Sequence, residues 1–501
     1  MAVLAPRSLE ASEALLPRLR SLNGRVGWLL LGTLWLVTRL IYLLNVMLGH
    51  HYPDPVFFVY AERFSHGLLP YRDFPVEYPP LGMALIVLPG LLHSGPLTPW
   101  LYGTNFALEM LALDLLSLFL VIRLARGLIP DDPSGLFSGL LYTAFVAASG
   151  AIAQKFDLVA GTFCLLAVVA FLRRRDRLAW VMLVLATLTK GFPLAIAPLF
   201  IAYRLMEGRS GARELYQGLR AAIVSSVVIS APLVLVTGVK PLIQAVLYHV
   251  DRGTEIESMY AGALLLIGRI FGLATFSYAN PTDLSQDIQS PLNPLVDGLA
   301  TPLGVVLIGL IYWLFYRSIK SQPQDRPQAL IRASLLVLLA FMLTFRALPG
   351  HYLLAILPLA ALVRFQGRRQ IVFVCTLLLA LLLGQLETVA WQPLLAGDWI
   401  GILALVARNL AILASFLLLL SGKLRRVIAL AAPAQAPAAL SAARRSLGWA
   451  IESGRRSWRE VAAPFQSYRE REAVRPSARE QPDLLTPARH FDLYRQRHRV
   501  T

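Results

Sequence analysis

Between Val26 and Leu420 the chain returns repeatedly to long apolar runs, and that recurrence decides what it can fold into. A helix of about 20 residues crosses a hydrocarbon core of about 30 Å. Lipid offers no partner for peptide N–H and C=O groups, so only helices and closed barrels can span it. The alternating segments of about ten residues that a barrel requires are not found in the sequence. The fold class is therefore all-α, a polytopic integral membrane helical bundle over residues 26–421, flanked by a segment 1–25 and a tail 422–501. The first run starts late and is too long for the core of a cleavable signal. Cys164 and Cys375 both fall in apolar runs without ligand spacing, which reads as two small buried hydrophobes.

The formal charge of +17 raises the possibility of a nucleic-acid partner, and its placement argues against one. The tail holds 16 Lys/Arg against 7 Asp/Glu. Much of the remaining excess sits in short loops, "RRRDR" (173–177), 203–220, 316–332 and "GRRQ" (367–370). Basic short loops mark the cytoplasmic side of a membrane protein. With those loops inside, the spans fall at 26–48, 99–125, 134–151, 156–172, 219–238, 300–317, 329–345, 350–365, 371–389 and 398–421. Residues 178–203 then have to form a hairpin of two half-helices meeting at "TKGFP" (189–193), because a single span would put a basic loop on the wrong side. The run "LGMALIVLPGLL" is too short to cross and reads as re-entrant. Counted with these pieces, the bundle has about twelve membrane elements, lies in the cell membrane and keeps both termini cytoplasmic. The Ala/Pro-rich and Arg-rich tail reads as a basic extension drawn to anionic membrane lipids.

Under this topology nearly every polar cluster that the charge bias does not explain lies on the exterior face. They are residues 54–77, "QKFD" (154–157), Lys190, "YHVDRGTEIESMY" (248–260) and "FRALPGHY" (345–352). The first belongs to an exterior loop, 49–80, which packs four carboxylates, four tyrosines and six prolines into residues 52–80. The fourth belongs to an exterior segment, 239–299, expected to carry one short apolar helix over 260–275. Five segments distant in sequence and converging on one side are what a single site requires. Deeper in the spans, Arg39 and Glu109 fall at similar distances from the cytoplasmic side, which predicts an ion pair between them, while Asp114 is left without an assigned partner.

The stretches "DPVFFVYAERFSHG" (54–67), "PYRDFPVEYPPL" (70–81), "FDLVAG" (156–161) and "LATLTKGFPL" (185–194) resemble membrane-embedded glycosyltransferases of the C structural class, in particular glycosyltransferase family 87. Less specific support comes from "DRGTEIES" (251–258) and "HYLLAILPLAAL" (351–362). The resemblance implies a sugar donor carried on a polyprenyl phosphate, as in polyprenyl-phosphate-mannose-dependent mannosyltransferases, and an acidic residue of the first exterior loop as catalytic base. Asp54 stands at that position. It also implies a lipid or glycan acceptor and no cofactor, the lipid-linked sugar phosphate being a substrate. The absence of any Gly-rich phosphate loop from the sequence agrees with such a donor.

Transfer from a lipid phosphate needs a base for the acceptor hydroxyl and positive charge for the departing phosphate. Asp54, held between Pro53 and Pro55 just beyond the first span, is the candidate base; the same position also suits a cap for a helix starting near Val56. Tyr60, Tyr71, Asp73, Glu77 and Tyr78 are candidates for binding sugar or acceptor, against the alternatives of turn formation and interfacial anchoring. Lys190, Arg252, Arg346 and His351 are the candidate phosphate ligands, with snorkelling as the other reading of Lys190. No carboxylate motif of the DxD type is present, and no metal requirement is expected. A transporter or lipid-linked-sugar flippase is the competing function; it would place ionisable groups and broken helices at the midplane of both halves. The topology is tested by single cysteines at positions 66 and 210 in intact cells. A membrane-impermeant maleimide should label the first and spare the second, and the reverse pattern would invert the assignment.

Overall fold

The computed structural model describes residues 24–50, 53–92, 95–272, 276–279, 286–321, 325–365 and 367–431. The 1–23 portion of the N-terminal segment and the 432–501 portion of the tail, with the lipid-binding expectation attached to that tail, lie outside the described residues. The chain divides into two units, 1–425 and 426–501, and everything below concerns the first. Its elements are α1 (Arg25–Met47), α2 (Pro55–Ser65), α3 (Pro80–Leu91), α4 (Pro99–Leu128), α5 (Leu136–Ser149), α6 (Asp157–Leu172), α7 (Asp176–Thr189), α8 (Ala197–Leu205) and α9 (Gly208–Thr237). There follow α10 (Lys240–Asp251), α11 (Met259–Phe271), β1 (Phe276–Ala279), β2 (Gln286–Gln289), α12 (Asn293–Ser321), α13 (Arg326–Thr344), α14 (Leu357–Ala360), α15 (Arg368–Val389), α16 (Trp391–Leu395) and α17 (Trp399–Ala431).

The protein is an all-α multi-pass bundle. Among the described residues seven helices are long and apolar enough to cross a membrane: α1, α4, α9, α12, α13, α15 and α17. The remaining apolar segments are shorter, so the expected dozen elements are not all full-length spans. The outer helices turn apolar residues outward, as the lipid face of a bundle must. Val372, Leu379, Leu382 and Leu386 form such an exposed stripe on α15. Cys375 lies on the same stripe and is exposed, which corrects the expectation that both cysteines are buried; Cys164 is buried.

The hairpin over residues 178–203 is present. α6 and α7 are joined by a tight turn in which Arg174 adopts φ +59°, and α7 stops at Lys190, which is extended (φ −149°, ψ 132°). A 3-10 turn, Phe192–Ile196, and α8 then return the chain. The return is fixed by Arg204, whose guanidinium lies 2.8 Å from Asp176 at the start of α7 and donates to the Phe171 carbonyl at 2.9 Å. Both ends of the segment are therefore at one end of the bundle and its tip, Lys190, at the other. The basic loops gather with the ends: Arg174 pairs with Glu207, and Arg364 with Asp132. The polar clusters gather with the tip.

The segment between α9 and α12 is richer than the single helix expected there. It adds an amphipathic helix, α10, and a two-stranded antiparallel hairpin in which Phe276 faces Gln289. The stretch 254–256 is strapped against β2, with Ile256 N donating to Gln286 O and Ile288 N to Thr254 O, both at 2.8 Å. On its other side Glu255 N donates to the Arg346 carbonyl at 2.9 Å. Two glycines allow the close packing beneath. A Cβ on Gly161 would come 2.3 Å from the Ala355 carbonyl oxygen, and one on Gly82 would come 2.6 Å from that of Thr189. These approaches seat the 3-10 turn Gly350–Ile356 on α6, and α3 on the end of α7.

Deep in the bundle Arg39 pairs with Asp114, not with Glu109. The Nε–Oδ2 distance is 2.8 Å and the Nη2–Oδ1 distance 3.2 Å, and both residues are buried. Trp35 and Tyr142 each add a hydrogen bond of 2.7 Å to the carboxylate, so the cluster joins α1, α4 and α5. Side chains lean toward the N-terminus of their own helix. α1 and α4 run in opposite directions, so Arg39 leans one way along the bundle and Asp114 leans to meet it, closing the roughly 7.5 Å that five residues of helix represent. Removing one partner of a buried pair costs about 3–5 kcal/mol. Asp114→Ala should therefore lower the thermal unfolding midpoint in detergent sharply, whereas Glu109→Gln should leave it near wild type; equal effects would show that the pair does not carry the stability assigned to it.

Candidate active site

The opening loop reaches its site through an aromatic core. Phe57, Tyr71, Phe74, Met83, Ile86, Tyr102, Phe106 and Phe156 are buried together and fix α2 and the following turn on α3 and α4. Tyr71 takes φ +66°, a left-handed conformation tolerated because its hydroxyl donates to the Tyr78 carbonyl at 2.6 Å and its N–H to the Phe74 carbonyl at 3.0 Å. Asp73 closes the same turn by accepting from Leu69 N at 2.7 Å and pairing with Arg72 at 2.9 Å. These two residues shape the loop from outside the cavity.

A cavity of about 270 Å³ opens at the end of the bundle that carries Lys190. Of the residues singled out from sequence, Asp54, Glu77, Tyr78, Lys190, Arg252 and His351 line it. Tyr60 reaches the lining through Glu77, to which its hydroxyl donates at 2.5 Å, and stacks on Phe74. Arg346 turns its side chain to Asp297, 2.9 Å away, and contributes to the site through the backbone carbonyl that holds Glu255. Sequence reasoning missed Lys155, His249, Glu255, Glu257 and Tyr352, all of which line the cavity. Each lies inside one of the five polar segments, so the segments carried the signal; which side chains turn inward depends on packing that composition does not encode.

Asp54 serves both readings of its position. One carboxylate oxygen caps α2, accepting from Val56 N at 3.1 Å, and the other accepts from Lys155 Nζ at 2.8 Å. Burial acts to raise its pKa, but the Lys155 ammonium, the Val56 N–H and the more distant Lys190 charge outweigh it and hold the carboxyl below its usual range. Lys190 donates to Asp157 at 2.5 Å and lies 4.0 Å above the Tyr352 ring. Arg252 pairs with Glu255 at 3.0 Å. His249, on α10, contacts the Glu77 carbonyl at 3.0 Å; burial, with Arg252 and Lys190 nearby, pushes its pKa down and keeps the imidazole neutral at pH 7. Below the strap, Arg408 on α17 is fully buried between Glu387 (2.6 Å) and Glu257 (3.3 Å) and donates to the Leu348 carbonyl at 2.9 Å. It thereby fixes the segments bearing Glu257 and His351 to the membrane helices.

The fold and site together define an all-α multi-pass membrane protein with an ion-lined cavity at one end of its bundle. The chain matches Glycosyltransferase family 87 over residues 76–346, and it belongs to that family; it is therefore a glycosyltransferase, and the transporter reading is set aside. The matched region includes Glu77, Lys155, Lys190 and Arg252, while Asp54 and His351 fall just outside it. No curated protein is found to match the chain.

Burial, reinforced by the neighbouring carboxylates, outweighs Arg252 and pushes the Glu255 carboxyl up to about 7. A carboxyl whose pKa is raised on folding favours the folded state below its unfolded value, and that contribution is lost as pH rises through the folded value. Glu255 should thus contribute a fall in the midpoint of thermal unfolding as pH rises from 4.5 toward 7, and in Glu255→Gln the midpoint should fall less, or rise more, over that range than in the wild type. An unchanged slope in the variant would place the titration elsewhere.

Proposed function

We propose that the protein transfers a sugar, mannose or a similar hexose or pentose, from a polyprenyl-phosphate donor to a lipid or glycan acceptor at the exterior face of the cell membrane, with inversion at the anomeric carbon. The observation that carries this reading is the meeting, in one cavity, of a partly exposed carboxylate, Asp54, with Lys190 and Arg252. The termini are cytoplasmic in this arrangement, because the basic loops occupy the end opposite the cavity.

In the reaction Asp54 accepts the proton of the acceptor hydroxyl as its oxygen bonds to the anomeric carbon. The bond from that carbon to the phosphate oxygen breaks on the opposite face, and its electron pair leaves with the polyprenyl phosphate. Lys190 and Arg252, with His351 beside them, stabilise the charge on the departing group. Glu77, oriented by Tyr60, and Tyr78 line the space for sugar hydroxyls and a ring face. Asp73 and Tyr71 support this wall by shaping its turn.

Asp54→Asn keeps the shape and removes the base, so transfer from a polyprenyl-phosphate mannose donor should fall about 100-fold or more. Arg252→Gln should instead weaken binding of farnesyl phosphate by about ten-fold, the worth of one charge-assisted hydrogen bond. Near-normal transfer by Asp54→Asn would move the base to Glu77 or beyond the loop, and unchanged binding by Arg252→Gln would move the phosphate.

A further inference from the structure

Besides the fully buried Arg408 and its partner Glu257, three ion pairs among the described residues line or adjoin the cavity, and they differ in how readily they can open to an anion. Lys190 and Asp157 are 11% and 1% exposed, and Arg252 and Glu255 are both 9% exposed. Separating either would strand a carboxylate away from water, which is costly. Lys155 and Asp54 are 19% and 29% exposed, so theirs is the pair that parts most easily. Lys155 sits on the short turn 151–156, its ammonium 5.4 Å from the Phe57 ring and within the field of Asp157 and Glu257, so it can swing toward the cavity without moving a helix. While the pair is closed, one Asp54 oxygen accepts from the ammonium and the other from the Val56 N–H, which makes the carboxylate a poor acceptor for a further proton.

We propose that Lys155 is a latch on the base: it holds Asp54 inactive in the empty enzyme, and the donor's phosphodiester draws its ammonium away, leaving the carboxylate open to the acceptor hydroxyl. This rests on the reading of the donor as a prenyl phosphodiester. Donor binding then comes first and switches on the base, and an acceptor arriving at the empty enzyme, or a water molecule, meets a carboxylate already engaged. The charged and titratable groups facing Asp54 support this direction. Glu77 and Tyr78 come from its own loop, Tyr102 from α4, Lys190 from the hairpin tip, His351 from the 3-10 turn, and Arg252 with Glu255 from across the cavity. Among the described residues none of these basic groups is hydrogen-bonded to Asp54, whereas Lys155 is, at 2.8 Å. Once it leaves, burial acts on the carboxyl without its closest opposing charge, and the affinity for a proton rises.

The test is titration calorimetry of the full-length protein in nanodiscs with farnesyl methyl phosphodiester, a sugar-free probe whose single charge does not titrate near neutrality. Binding at about pH 5, compared in buffers of different ionisation enthalpy, should be accompanied by net proton uptake in the wild type. Asp54→Asn should bind the probe with no uptake. Lys155→Met should bind about ten-fold more weakly and lose the uptake, and Lys155→Arg should restore both. Equal uptake in Asp54→Asn, or wild-type affinity in Lys155→Met, would overturn the latch while leaving the donor assignment standing. Failure of the wild type to bind the diester at all would overturn the donor assignment and the latch with it.

Discussion

A charge held in hydrocarbon has to bring its counter-charge with it, and this requirement organises the protein from the middle of the bundle outward. Arg39 and Asp114 meet it near the centre, where a bidentate contact and two further hydrogen bonds use up the carboxylate. Arg204 meets it at one end by closing the α7–α8 hairpin on Asp176. Arg408 meets it toward the other by bridging Glu387 and Glu257. Each pair ties elements far apart in sequence, so the polar contacts specify which helices are neighbours, a choice that the interchangeable leucine faces leave open.

Around the cavity the same requirement serves a different end. The cations there are already compensated by carboxylates of the protein, so an incoming anion competes with them and does not simply fill a positive hole. Affinity in such a site is a difference between two sets of contacts, and it can be set by burial as much as by charge. Lys190 is anchored by a buried aspartate and an aromatic face, and a positively charged group fixed in this way keeps its position whether or not a ligand is present. Preorganisation of that kind is what electrostatic stabilisation of a leaving group needs.

Much of the architecture was legible in the sequence because hydrophobic run length and loop charge act through solvation and depend little on packing. The hairpin at residues 189–193 is the clearest instance: the charge of two loops required it, and Gly191 and Pro193 supplied the break. The partner of Arg39 was misread because equal depth along two helices ignores the direction in which side chains lean. The β1–β2 hairpin went unseen because strands of four residues leave too short a pattern, and the strap it supports carries Glu255 into the cavity. Asp54 was legible by position, whereas Lys155, 101 residues away, could be named only once α2 and the 151–156 turn were seen to abut.

The helices at the heart of the bundle are short. α5, α6 and α7 have 14, 16 and 14 residues, against 30 in α4 and in α9. Gly135, just before α5, packs on the Ile122 carbonyl of α4, and Ala153, just beyond α5, packs with Ala107 of α4 and Val46 at the end of α1. α5 therefore covers the stretch of α4 between about residues 107 and 122, and the first two turns of α4 rise roughly 12 Å beyond its end. Lys155 and Asp157, at the turn between α5 and α6, thus lie below the free end of α4, and a ligand approaching past that helix has to reach inward to meet them.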